Sequence, residues 1–323
     1  MRILWLTIDR SCRVVHHFDR FRSEVEKIAD VETLFKTTKP YLAGRYAKEI
    51  MYGNLETPKY LNSSLANQEF DFIMCDAFFA YAGENWGLFD CPKAMLIEDV
   101  HMEVPKWQVD LGHKIGIDII FHRFYNSFHR YHPSAADNYE CIWLPHSIDP
   151  KLFYDRGYER EHVLHLGIYN EQHYPIRLEV VNNLSHWSEF KAIPRPSESL
   201  DGRYKWPVMD EYAEIVCGAK ICVTGGSRYD APVMKYFEIP ACGTPLMTNW
   251  FDDLGLLGFV PGKNILVYPE NYVEYIKKIY DDDAYLEKIS NSGVSLINER
   301  HTVDKRALQF VKILEKIVYE RCH

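Results

Sequence analysis

Residues 220–248 read KICVTGGSRYDAPVMKYFEIPACGTPLMT. Lys220–Thr224 is a short apolar run, Gly225 and Gly226 make a turn, Ala231–Ala241 has helical spacing, and Pro245–Thr248 is apolar again. Strand, glycine turn, helix and strand in that order form a βαβ unit, whose strands run parallel. A helix start after such a turn offers free backbone N–H groups and the positive end of the helix dipole, which together favour an anion such as a diphosphate. Lys235 stands close to that start. Glu238 follows one turn later on the same face, where a carboxylate can accept two hydrogen bonds from vicinal hydroxyls such as those of a ribose.

The same alternation fills the chain on both sides. Ile3–Ile8, Val31–Phe35, Phe70–Met74, Ala94–Ile97, Ile115–Phe121 and Ile142–Leu144 read as strands. Phe18, Phe21, Val25 and Ile28 mark one helix, and Tyr41–Met51 another. A second series begins with a strand at Val163–Leu166 and continues with helices at Arg177–Leu184 and Met209–Cys217. Short apolar strands between helices predict an α/β fold of two Rossmann-like halves, each a parallel sheet covered on both faces, with ligands beyond the strands' carboxyl ends. Asp9, Asp76 and Asp99–His101 follow such strands. The charged segment KLFYDRGYEREH, starting at Lys151, places the domain linker near 151–161.

With 323 residues, 47% apolar and 26% charged, the chain can bury a large core, and its length suggests two domains of roughly 150 residues. Eight cysteines without a CxxC pair, several in apolar segments (Cys75, Cys217, Cys222), read as small buried hydrophobes; neither a disulfide framework nor a cysteine zinc site is indicated. A net charge of −9 argues against a surface that attracts nucleic acid everywhere. HRFYNSFHRYHP at 122–133 interleaves basic and aromatic residues, as a nucleic-acid contact or as a surface helix with its aromatics turned inward. His122, His129 and His132 repeat no known ligand spacing, and Asp281, Asp282 and Asp283 read as a solvated helix junction, so no metal is assigned. The loop at 194–207, with Arg195, Arg203 and Lys205, reads as a connector. No apolar run approaches the ~18 residues of a membrane span, and the apolar opening is too short for a signal-peptide core, so a soluble cytoplasmic protein is expected.

Asp230, seven residues, Glu238 and then ACGTP resemble the E-x(7)-E region of retaining GT-B glycosyltransferases of the group 1 type, particularly the CgeB-like branch. Three further pieces agree in order: LPHSIDPKLF at 144–153 resembles the P-x-x-x-D-x-x-x-F interdomain signature, GIYNEQHYPIR at 167–177 the Gly…Arg loop, and HTVDKRA at 301–307 the closing helix. Asp230 stands where the family usually has Glu, a methylene shorter, and it is also a natural helix cap.

The resemblance implies a GT-B fold with a cleft between an acceptor-side domain at 1–155 and a nucleotide-sugar-binding domain at 156–305, with a helix at 306–323 packing back on the first. It implies transfer of a sugar, a hexose in the first instance, from a nucleotide-diphosphate donor to a hydroxyl with retention and without a metal or other cofactor. Catalytic roles fall on His101 and Asp230 at the sugar and on Arg177 and Lys235 at the departing diphosphate; donor contacts fall on Glu238, Gly167, His173, Tyr174, Gly243 and Thr244. The partners implied are the nucleotide-sugar donor and a glycan or small-molecule acceptor. Modified bases of DNA as acceptor, a nucleotide-sugar epimerase and a non-catalytic nucleotide-sugar-binding relative are the alternatives.

Overall fold

The computed structural model describes residues 1–8, 17–36, 61–99, 103–194 and 209–322. Asp9, His101, the helix expected at 41–51 and the connector at 195–207 lie outside the described residues. The chain divides into two units, Met1–Pro145 with Asp304–His323, and His146–Val303.

The first unit contains β1 (Arg2–Ile8), α1 (His17–Val25), β2 (Asp30–Lys36), β3 (Phe72–Cys75), β4 (Lys93–Ile97), α2 (Glu103–Gly112), β5 (Ile119–His122), α3 (Tyr125–Tyr131) and β6 (Glu140–Trp143). The sheet is wholly parallel, in the order β2-β1-β3-β4-β5-β6. Strand β1 is buried from Ile3 to Ile8, and its near-continuous apolar sequence is what a strand covered on both faces requires. Helix α1 turns Phe21 and Val25 into this core but ends at Val25, so Ile28 falls beyond it and is exposed. Strand β5 starts later than its apolar run because Gly116, at φ +85°, closes a turn ahead of it.

Two polar groups expected to face a ligand or solvent are used inside this unit. Asp76 accepts hydrogen bonds from Trp5 Nε1 (2.8 Å) and Thr7 Oγ1 (2.7 Å), tying the end of β3 to β1. His122 stacks on Phe128 with ring centroids 4.1 Å apart, and burial pulls its pKa to about 3, so it is neutral. Within 122–133, His122, Phe128 and His132 are buried while Tyr125 and Tyr131 are exposed.

The second unit contains β7 (Glu161–Leu166), α4 (Pro175–Leu184), β8 (Phe190–Ile193), α5 (Asp210–Cys217), β9 (Ala219–Val223), α6 (Lys235–Ala241), β10 (Leu246–Thr248), β11 (Leu266–Val267), α7 (Tyr272–Tyr280) and α8 (Asp283–Arg300). Its parallel sheet has the order β11-β10-β9-β7-β8. Val163, Ile221, Val223, Met247 and Leu266 from the strands pack with Val180 and Leu184 of α4 and with Ile276 and Ile289 of α7 and α8. The edge strands β8 and β11 are only four and two residues long, and neither is among the strands read from the sequence. Asp282 caps α8 by accepting from Tyr285 N (3.0 Å), and Asp283 pairs with Lys220 at 2.7 Å.

The segment read as a linker belongs to this second unit, and the division falls ahead of the expected boundary at 155. Asp149 builds a turn by accepting from Lys151 N (2.8 Å), and Arg156 reaches Asp210 (3.0 Å) and Glu214 (3.2 Å) on α5. The charges that suggested a solvated connector are therefore ion pairs across a folded turn.

Helix α9 (Val303–Cys322) completes the first unit. Ala307, Phe310, Val311, Leu314 and Ile317 form one apolar face, and Phe310 lies 5.6 Å from Trp5, 5.5 Å from Phe21 and 5.2 Å from Phe121 between ring centroids. Among the described residues no helix is long and apolar enough to cross a membrane.

Phe310→Ala should destabilise the protein by about 3–5 kcal/mol in urea titrations, since it empties the junction of three aromatic rings. The exposed neighbour Leu308→Ala should change stability by less than about 0.5 kcal/mol.

Candidate functional site

In the second sheet β7 leads outward to β8, whereas β9 leads the other way to β10 and β11. The connections therefore part between β7 and β9, and the crevice at the carboxyl ends of those two strands is where an open α/β sheet takes a ligand. Two loops rise there, 167–174 after β7 and 224–230 after β9. They are fastened together: Arg228 N donates to His173 O (3.0 Å), Arg228 Nη2 to Glu171 O (3.1 Å), and Tyr229 Oη lies 3.5 Å from His173 Nδ1. Gly167 opens the first loop at φ +119°, and a Cβ there would stand 3.0 Å from Lys235 Nζ. This glycine is thus required both by its backbone and by the lysine beside it.

Arg177 is the most constrained group at the crevice. It projects from α4 and is 3% exposed. Its Nε donates to Gly225 O (2.8 Å), its Nη1 to Ile168 O (3.4 Å), and its guanidinium lies 3.9 Å from the centre of the Tyr174 ring. Tyr236, Tyr174, Tyr268 and Tyr212 surround it, and burial lowers its pKa from the usual arginine range. Among the described residues no carboxylate pairs with it, and Nη2 is buried without a hydrogen bond. A desolvated cation costs several kcal/mol when it is uncompensated, so backbone carbonyls and an aromatic face hold this one while a donor is left over for an anion.

Lys235 comes from the first turn of α6, donates to Leu166 O (2.5 Å) and places Nζ 5.3 Å from the centre of the Tyr212 ring. His165 lies below in β7, fully buried, with Nδ1 3.0 Å from Val223 O. Burial, with Lys235 and Arg177 adding to it, lowers its pKa to about 3. It stays neutral and adds no third positive charge.

Glu238 sits in the middle of α6, half-buried, next to Tyr212 of α5. Burial and the Glu238 charge push the Tyr212 phenol well above its ordinary pKa, so it keeps its proton. No local pattern in 210–217 marks Tyr212; only the packing of α5 on α6 brings it here.

Other expected residues are placed differently. Helix α6 begins at Lys235 rather than at 231, and the amides of Tyr236, Phe237 and Glu238 already donate to Val233 O and Met234 O. The anion-gripping helix start expected after Asp230 is corrected accordingly: what the site offers an anion is side-chain cations. Asp230 does not cap the helix but closes the Ser227–Asp230 turn, donating its N–H to Ser227 O (2.9 Å) at φ +52°, a left-handed conformation that Asp tolerates better than most residues. Gly243 and Thr244 precede β10 and so lie toward the amino ends of the strands, whereas the crevice is at their carboxyl ends. Thr244 Oγ1 donates to Val216 O (2.7 Å), and a Cβ on Gly243 (φ +71°) would stand 2.5 Å from Asp155 Oδ2. Their surroundings are those of packing residues, not of donor contacts. Among the described residues no group of three His, Cys, Asp or Glu side chains is arranged to hold a metal ion.

Residues 171–312 match the family model described as "Glycosyl transferase-like". No curated protein matches the chain. In structure the chain is similar to sucrose-phosphate synthase from Thermosynechococcus elongatus, with TM-score 0.63 and 13% identity over 99% of this chain and 100% of that one. It is also similar to Anabaena HepE in complex with UDP and glucose (TM-score 0.60, 12% identity, 98% and 100% covered). A glycosyltransferase from Rickettsia africae is a third likeness (TM-score 0.55, 9% identity, 98% of each chain covered). At such identities the likeness shows the fold, and that fold is the α/β GT-B architecture.

His165 carries a pH dependence whose sign follows from its lowered pKa. Its native form is neutral, whereas the unfolded chain takes up a proton near pH 6.5. The stability it contributes is complete above about pH 6.5 and is lost as pH falls toward 3. Urea midpoints measured across this range should fall less steeply for His165→Asn than for the wild type, by the uptake of one proton; equal slopes would place the pH sensitivity elsewhere.

Proposed function

We propose that this protein transfers a sugar from a nucleoside-diphosphate sugar to a hydroxyl acceptor with retention, using no metal ion. The observation that carries this reading is the buried guanidinium of Arg177, with a hydrogen-bond donor left over at the strand-end crevice and Lys235 reaching the same crevice. A planar guanidinium suits two phosphate oxygens, and two cations offset the charge of a leaving diphosphate. The match of 171–312 to a glycosyltransferase-like family supports the reaction class, and the UDP-glucose bound to the Anabaena relative, similar at 14% identity and TM-score 0.57, supports the donor class.

In this reading the bond from the sugar's anomeric carbon to the diphosphate oxygen breaks while one to the acceptor oxygen forms on the same face. The leaving phosphate oxygen takes the acceptor's proton. Arg177 and Lys235 stabilise the charge that grows on that oxygen, an interaction stronger in the transition state than in the ground state. Glu238 accepts from the hydroxyls of the pentose. Asp230 and the His173–Tyr174 loop meet the sugar and diphosphate, and the family resemblance gives His101 a contact with the sugar as well. The acceptor is a glycan or a small molecule, and the sugar moved is a hexose.

Thermal shifts with a panel of nucleoside diphosphates and their sugars test the reading. A ligand at 100 times its Kd should stabilise the wild type by about 2.7 kcal/mol. Arg177→Ala should remove most of that stabilisation and lower turnover by roughly 100-fold, chelator should leave turnover unchanged, and the product should keep the donor's anomeric configuration by NMR. Unaltered binding and turnover in Arg177→Ala would overturn the assignment.

A further inference from the structure

Tyr212 is buried to 8% exposure in the first turn of α5, and α5 packs on α6. The edge of its ring meets Phe153, with centroids 6.2 Å apart and planes at 82°, and its face lies 5.3 Å from Lys235 Nζ. Phe153 is itself seated by the Asp149 turn, where the N–H groups of Leu152 and Phe153 donate to Asp149 O at 3.0 and 2.9 Å. Tyr212 therefore has a rigid back and two charged neighbours in front.

Among the described residues its hydroxyl makes no hydrogen bond of ordinary geometry, although it lies close enough to the Glu238 carboxylate for the two to interact. A tyrosine that served packing alone would do better as phenylalanine, because an unsatisfied buried hydroxyl lowers stability. The charge that acts on it most strongly is the Glu238 carboxylate. Hydrogen bonds at functional sites are often long in the unliganded protein and tighten when ligand binds.

We propose that Tyr212 is a positioning residue for pentose recognition, its hydroxyl closing onto Glu238 when that carboxylate takes up the vicinal hydroxyls of the donor's ribose. The inference rests on the reading of the site as a nucleoside-diphosphate-sugar site with Glu238 at the pentose. A carboxylate has about four lone-pair positions, enough for two ribose hydroxyls and the phenol. The phenol donates to the ionised carboxylate, so it fixes the rotation of Glu238 and keeps it an acceptor. The face of the ring keeps Lys235 in place at the diphosphate, so a single aromatic side chain coordinates both grips.

Titration calorimetry with UDP, 2′,3′-dideoxy-UDP and inorganic pyrophosphate separates these roles. The wild type should bind UDP more tightly than the dideoxy form. Tyr212→Phe should weaken UDP about tenfold, as loss of a hydrogen bond to a charged group implies, while leaving the dideoxy form and pyrophosphate within about twofold. Tyr212→Leu, which also removes the ring under Lys235, should weaken all three. Because the hydroxyl makes no hydrogen bond of ordinary geometry among the described residues, Tyr212→Phe should melt no lower than the wild type, so loss of fold cannot mimic the effect. If the wild type discriminates and Tyr212→Phe discriminates equally, the role of Tyr212 is overturned while the ribose reading stands. If the wild type does not discriminate at all, the ribose reading on which it rests is overturned.

Discussion

A buried guanidinium that no carboxylate among the described residues neutralises sets the terms for the second unit. Arg177 can be held there only if dipoles around it are aimed at its N–H groups and a polarisable face covers it. The Gly225 carbonyl, the Ile168 carbonyl and the Tyr174 ring meet that demand. An aspartate beside it would stabilise the free protein more, but it would also cancel the charge. Keeping the cation available to a diphosphate means accepting part of its desolvation in the unliganded state, which fits the general conflict between a stable site and an active one.

The supports behind the crevice run through the segment that looks like a linker. Asp149 folds a turn, the turn seats Phe153, Phe153 backs Tyr212, and Tyr212 faces Lys235 and Glu238. Cys217 Sγ also donates to Tyr154 O (3.3 Å), fastening the end of α5 to the same segment. The proline-to-phenylalanine signature at 145–153 thus has a physical content within the second unit: it orders the helix that orders the site. The first unit depends on sequence-distant chain in a different way, since its core is closed by Phe310 from the last helix.

Much of this was legible in the sequence because burial leaves a pattern. RILWLTI announces a central strand, and the spacing of Gly167, Arg177 and Lys235 after two strand ends brings them together as the parallel topology requires. The edge strands β8 and β11, four and two residues long, are too short for a periodicity to show. Gly243 and Thr244 sit in a distinctive motif, yet its distinctiveness comes from tight packing against Asp155 and Val216 at the amino ends of the strands. Asp230 looked like a cap because a proline follows closely, whereas a left-handed turn intervenes and the helix starts later. Tyr212 was invisible for the opposite reason: its neighbours at the site come from other elements, and nothing local distinguishes it from a core tyrosine.

The most direct test of the Arg177 anion site is a crystal structure of the protein with a nucleoside diphosphate bound. The expected density places diphosphate oxygens within about 3 Å of Arg177 Nη2 and of Lys235 Nζ, at the carboxyl ends of β7 and β9. A diphosphate bound anywhere else, with Arg177 still enclosed by its carbonyls and tyrosines alone, would contradict it.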